Sequence, residues 1–423
     1  MNEKLSRLSK TAGPGILFAC TAIGVSHLVQ STRAGADFGL LMLGFVIIAA
    51  LLKYPFFEYG SRYANSTQTS IIDGYKKLGK PALWLYFILT ISSMFFVTGA
   101  VGFVTAGFLE NLFGVDFLGD WTVVFLFAVC VLVLAIGRYT ILDSLIKVVA
   151  IVLLISTVSA FLFALYHGPT EQVPNFEPKE LWTSSGIFFL LALMGWMPTA
   201  LDLSSWNSLW TLERMKQTKF NPKLKETLFE FRLAYVITGF LAVVFVTLGS
   251  FIFYGSGEEL PNNNSLFAHK VVTLYTATIG DWSYIVIASS AFTVMFGTII
   301  AVFDGYSRSL QRTIFLIQDK EKNKIQTSDK KIRIFYTTLL LILSMGSLVV
   351  ILQFENNLRE LVDFATVLSF VIAPVVAVFN FRLVTGKFLS KDSQPSLGLK
   401  VLSISGILFL IIFALIFLIT RFS

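Results

Sequence analysis

The chain has 423 residues, 55% hydrophobic and only 14% charged, with a mean hydropathy of +0.74. Water-soluble proteins of this length rarely show that balance, so the composition points to an integral membrane protein and argues against a soluble enzyme. The net charge of +7 is carried by basic residues gathered in particular loops, which reads as membrane topology and not as a nucleic-acid surface.

The N-terminal Met1–Lys10 segment is polar and basic, and no small-residue cleavage site follows the first apolar run. That run is therefore expected to be a retained first helix. Apolar stretches of about 18 residues or more mark candidate spans. They fall near residues 14–34, 38–60, 82–109, 121–138, 142–166, 185–209, 233–255, 282–306, 334–353, 361–383 and 398–419, eleven in all. Cys20 and Cys130 both lie inside these runs and read as buried thiols.

The connecting loops alternate in charge. Basic loops carry Lys4, Arg7 and Lys10; Lys76, Lys77 and Lys80; Arg214, Lys216, Lys219, Lys223 and Lys225; Lys320, Lys322, Lys324, Lys330, Lys331 and Arg333; and Lys387 and Lys391. The intervening loops carry Glu110, Asp116 and Asp120; Glu171 and Glu177; Glu258 and Glu259; and Glu355 and Glu360. An odd number of spans with a cytoplasmic N-terminus and an outer C-terminus satisfies this alternation. The plasma (inner) membrane is the expected location.

Two spans are interrupted. The first contains Gly24-Val25-Ser26-His27, and the sixth contains Met194-Gly-Trp-Met-Pro-Thr-Ala-Leu-Asp-Leu203, with Pro198 at its centre. A proline inside a helix removes a donor and clashes with the preceding turn. In lipid, the freed backbone groups must find partners in protein, water or ligand. Secondary transporters build substrate sites from such discontinuous helices near mid-membrane. Breaks in spans one and six suit an all-α, five-plus-five inverted repeat with one extra helix. Residues 1–423 then form one transmembrane domain, with repeats over about 14–166 and 185–383 and the extra helix at about 398–419.

These residues resemble the Nramp family of divalent-metal transporters, which have the LeuT-type fold. The resemblance begins at Gly13-Pro-Gly15 and runs through Arg33-Ala-Gly-Ala-Asp-Phe-Gly39, Glu58-Tyr-Gly-Ser-Arg62 and Thr67, returning at Met197-Pro198. It implies a metal-ion symporter with eleven spans. The departures bear on the substrate. The family's Asp-Pro-Gly-Asn in span one reads Gly24-Val25-Ser26-His27 here, and its Met-Pro-His in span six reads Met197-Pro198-Thr199. A further expected histidine falls at Ser204, and an expected acidic pair in span three falls on Thr98 and Val101. Of the family's metal-site residues, only the methionine is kept.

The candidate substrate-binding residues are accordingly Gly24, His27, Met197, Thr199 and Asp202. His27 reads either as a ligand or proton carrier facing a central cavity, or as a cap on the broken helix. Met197 offers a soft thioether to a metal ion, or it fills space. Asp202 is the acid nearest the second break; it supplies the charge lost from span one, or it pairs with a base such as Arg33. Asp304 and Asp363 lie toward span ends, where solvation explains them. Glu58 and Arg62, four apart on one helix, can form an ion pair that is structural or part of an inner gate. Trp206 and Trp210 read as interface anchors.

No Walker loop, zincin helix or Cys-x-x-Cys pair is present, and no region could hold nucleotide machinery. The expected function is secondary transport of a metal ion through an altered site. The alternative is transport of a small anion or organic solute, which helix N-termini suit. Retained helix breaks argue against a non-transporting scaffold. The expected partners are the small substrate and the lipid bilayer, with no nucleic acid and no cofactor, and a monomer suffices.

Overall fold

The computed structural model describes residues 3–137, 139–318, 329–354 and 357–422. Lys320, Lys322, Lys324 and Glu355, named above as loop charges, lie outside the described residues. Every regular element described is helical. Helices α1 (Glu3–Thr11) and α2 (Pro14–Ala22) are followed by a π-helical turn over Ser26–Ser31 and by α3 (Thr32–Phe38). Helices α4 (Met42–Thr67), α5 (Ile71–Leu78), α6 (Lys80–Phe113), α7 (Asp120–Ile136) and α8 (Tyr139–His167) come next. The second half comprises α9 (Ser184–Gly195), α10 (Leu203–Thr218), α11 (Leu224–Phe253) and α12 (Asn264–Ile279). It ends with α13 (Tyr284–Ile317), α14 (Asp329–Gln353), α15 (Leu358–Thr385) and α16 (Leu397–Phe422).

Helices lie at each predicted span, and both predicted interruptions are present: α2 gives way to α3 through a π turn, and α9 to α10 through residues 196–202. Among the described residues, seven stretches are long and apolar enough to cross a bilayer, with shorter apolar helices at Asp120–Ile136, Leu154–His167 and Ser184–Gly195. Helices α1, α5 and α12 were not predicted. The first two are short, and α12 carries a polar N-terminal turn, so none stands out as a span-length apolar run.

Local sequence sets several helix starts. Ser70 and Asp73 form a reciprocal cap on α5, Thr183 Oγ1 accepts from Gly186 N at 3.2 Å to start α9, and Asn357 Oδ1 accepts from Glu360 N at 3.2 Å to start α15. Large apolar side chains, among them Leu51, Ile88, Val236 and Ile412, are exposed on the outer faces of long helices, as lipid-facing residues must be.

Burial from water does not hold such helices together within lipid; close packing does. Helix α11 lies beside both parts of the first span. Gly35 on α3 meets the backbone of Val246, Gly249 and Ser250, while Gly249 meets the backbone carbonyl of Thr32. A methyl group on either glycine would overlap those atoms, so the two glycines set the approach of α3 to α11.

Candidate functional site at the two helix breaks

The breaks meet at the centre of the bundle. Between them is a cavity of about 30 Å³, lined by Ser26, Thr199, Ala200, Trp206 and Thr298 among others. That is room for about one or two waters or a bare ion. Gly24 faces α13: a Cβ there would stand 2.7 Å from the Thr298 side chain. Thr298 Oγ1 in turn donates to the Cys20 carbonyl at 2.9 Å, so a hydroxyl already serves backbone freed near the first break.

His27 is fully buried but points away from this cavity. Its Nε2 lies 2.8 Å from the Thr238 carbonyl on α11, its Nδ1 lies 2.8 Å from Ser26 Oγ, and the ring stands edge-on to Phe245. The imidazole braces the π turn against α11. Met197 is also fully buried, and its sulfur accepts from Ser31 Oγ at 3.6 Å, joining the second break to the first. Thr199 lines the cavity.

Asp202 accepts from Tyr306 OH at 3.1 Å. It does not pair with Arg33, whose guanidinium instead grips Asp363 with both terminal nitrogens, at 2.7 and 3.0 Å. The nearby base that acts on Asp202 is Lys53. Ser204, at the expected histidine position, accepts from Asn380 Nδ2 at 2.9 Å, and Asn380 also accepts from Tyr75 OH at 2.7 Å. Thr98, at an expected acidic position, is fully buried. Among the described residues, no group of three or more His, Cys, Asp or Glu side chains could hold a metal ion.

Lys53 is the residue that the sequence reading missed. It sits midway along α4, fully buried, and donates to three carbonyls at the second break: Met194 at 3.1 Å, Gly195 at 2.9 Å and Thr199 at 2.8 Å. A lone lysine in the middle of an apolar run was the available signal, because a charge there needs a partner or a task.

Buried ion pairs lie near the breaks, one joining α3 to α15 and one within α4. At the end reached by α3, Gln30 Nε2 also donates to Asp363 at 2.9 Å, and the Arg33 guanidinium lies 5.1 Å from the centre of the Phe189 ring. Beyond this pair opens a vestibule of about 800 Å³ that includes Asp37, Lys179 and Ser185. Asp363 is therefore a structural partner rather than a merely solvated end charge. At the other end, the predicted Glu58–Arg62 pair forms at 2.6 Å. Arg232 joins it at 2.9 Å and Tyr54 OH also donates to Glu58, while Arg62 reaches the Ser393 carbonyl at 2.9 Å. Glu230 on α11 holds the start of α2 by accepting from Gly13 N at 3.0 Å and Gly15 N at 2.8 Å.

Trp206 and Trp210 are buried, not interfacial. Trp206 packs against Tyr306 and Trp210 Nε1 donates to Asp304 at 3.1 Å. Asp304 also accepts from Arg308 and Tyr336, both at 2.7 Å, so it too is bound by protein groups.

The arrangement has solved counterparts. A histidine-to-alanine mutant of the Eremococcus coleocola manganese transporter superposes with a TM-score of 0.75 at 14% identity, covering 98% of this chain and 87% of that one. MhsT in complex with L-phenylalanine gives a TM-score of 0.62 at 13% identity, covering 96% and 98% of the two chains. At such identities the likeness establishes the fold, which is LeuT-type. An uncharacterized protein from Pasteurella multocida is 32% identical over 420 residues, covering 98% of this chain and 94% of the relative. Residues 15–420 match the profile described as natural resistance-associated macrophage protein-like, so the chain belongs to the Nramp family of integral membrane transporters.

Proposed function

We propose that this protein is a secondary transporter that alternates access to a small substrate bound between the breaks of its first and sixth spans. The observation that carries this reading is the meeting of the two breaks at one small cavity whose largely apolar wall carries the hydroxyls of Thr21, Ser26, Thr199 and Thr298, with buried ion pairs at Arg33–Asp363 and Glu58–Arg62. Thr199 lines that cavity, Gly24 packs against its Thr298, Met197 and Asp202 belong to the second break, and His27 holds the first break in place. In this reading the chain is one domain of eleven spans, with its N-terminus in the cytoplasm and its C-terminus outside. Arg33–Asp363 is then the outer closure and Glu58–Arg62 the inner one.

Family membership, and the manganese transporter among the structural neighbours, support a metal ion as the substrate, taken through an altered site and moved by symport. A specific observation favours a second reading, a small anion or organic solute: the Lys53 ammonium takes up the carbonyls that would otherwise draw a cation. Hard divalent ions need several oxygen ligands and charge compensation, and Asp202 is the acid available at the break.

Purified protein in proteoliposomes separates these readings. Uptake of a divalent-ion panel and a panel of small anions, with and without a pH gradient, is the measurement. Saturable uptake of divalent ions selects the first reading, and uptake of anions or neutral solutes the second. Absence of both under all gradients would overturn the transport assignment.

A further inference from the structure

Helix α9 ends at the second break, where the Met194 carbonyl accepts from the N–H groups of Trp196 and Met197, and the C-terminal end of a helix is its negative pole. In discontinuous membrane helices, such carbonyls commonly coordinate a bound cation. Here an ammonium on a side-chain tether from α4 donates to Met194, Gly195 and Thr199 at 2.8–3.1 Å, which uses all three of its N–H groups. Two further features fit a cation at this point. The Phe57 ring centre lies 6.0 Å from Nζ, and Asp202 is the acid whose charge acts on Lys53.

We infer that Lys53 is a tethered cation: its ammonium occupies the cation position at the end of α9, so this break takes no free inorganic cation of its own. A free ion would be replaced by a charge that travels with α4 and is never released. The position then contributes binding geometry but no ion coupling. It also repels a second cation from the same carbonyls, so any cationic substrate must bind on the side of the cavity away from α4. The inference concerns the α9 end alone and stands whichever substrate the transporter carries.

The test is thermal unfolding of the full-length protein in detergent, in the chlorides of ammonium, potassium, sodium and choline at equal ionic strength. Wild type is expected to unfold at the same temperature in all four. Lys53→Ala leaves the three carbonyls around an empty space of ammonium size. Its midpoint is expected to be lower in choline and to rise by about 1–2 °C with at least one of the small cations, by mass action on the folded state. Should the alanine variant fail to fold, Lys53→Ser, whose hydroxyl can satisfy one carbonyl, is measured in the same salts with the same expectation. A variant insensitive to every cation, or a wild type whose midpoint rises with the same cation as much as the variant's does, would overturn the inference.

Discussion

The sharpest energetic test concerns the pair Arg33–Asp363. Both side chains are nearly out of solvent, 6% and 13% exposed, and they are joined by two hydrogen bonds at 2.7 and 3.0 Å. Asp363→Asn keeps the shape but removes the charge, and its amide turns N–H donors toward a guanidinium that can only donate. Removing one partner of a buried pair costs about 3–5 kcal/mol, because the other charge is left uncompensated. The vestibule beside Asp363 admits water, so the lower figure, about 3 kcal/mol, applies. With an unfolding entropy of roughly 2.1 cal/mol/K per residue, that is a fall of about 3 °C in midpoint for a chain of this length. Arg33→Gln should cost a similar amount. The double variant should recover about 2 kcal/mol of the summed loss, since neither charge is then left alone. Thermal unfolding of wild type, both single variants and the double variant completes the cycle. Strict additivity would refute the argument, because it would mean the two groups do not depend on each other.

Other expectations follow from the same geometry. Glu58→Gln should destabilise the protein by about 3 kcal/mol through the buried Arg62 it leaves behind beside Arg232; an unchanged midpoint would show that the Ser393 carbonyl alone suffices for Arg62. His27→Ala should cost about 1–3 kcal/mol through lost packing and a lost hydrogen bond to α11, and it should leave the pH profile of uptake as in wild type. A profile flattened between about pH 5 and 8 would instead make the imidazole the titrating group at the site. Manganese uptake should be weak, given the missing oxygen ligands; if it is robust, Asp202→Asn should abolish it. Gly35→Val should disrupt the crossing of α3 and α11 and abolish uptake, and a fully active variant would show that this contact can be relaxed.

The amino-acid sequence by itself determined that the protein is membranous, where its apolar helices run, and which two are broken. Those properties are local: a run of about 20 apolar residues must be satisfied as a helix in lipid wherever it sits, and Pro198 or Gly24 disrupts its own turn whatever surrounds it. The Glu58–Arg62 pair was legible for the same reason, since four residues along one helix fixes the distance. The partners of the remaining polar groups were decided only by the tertiary structure. Asp363 comes to Arg33 across 330 positions of sequence, and His27 meets a carbonyl 211 positions away. Lys53 reaches the end of a helix 141 to 146 positions further on. No periodicity encodes such meetings. They follow from how tightly small residues let particular helices approach, and that packing turned His27 away from the cavity and brought a lysine to the break.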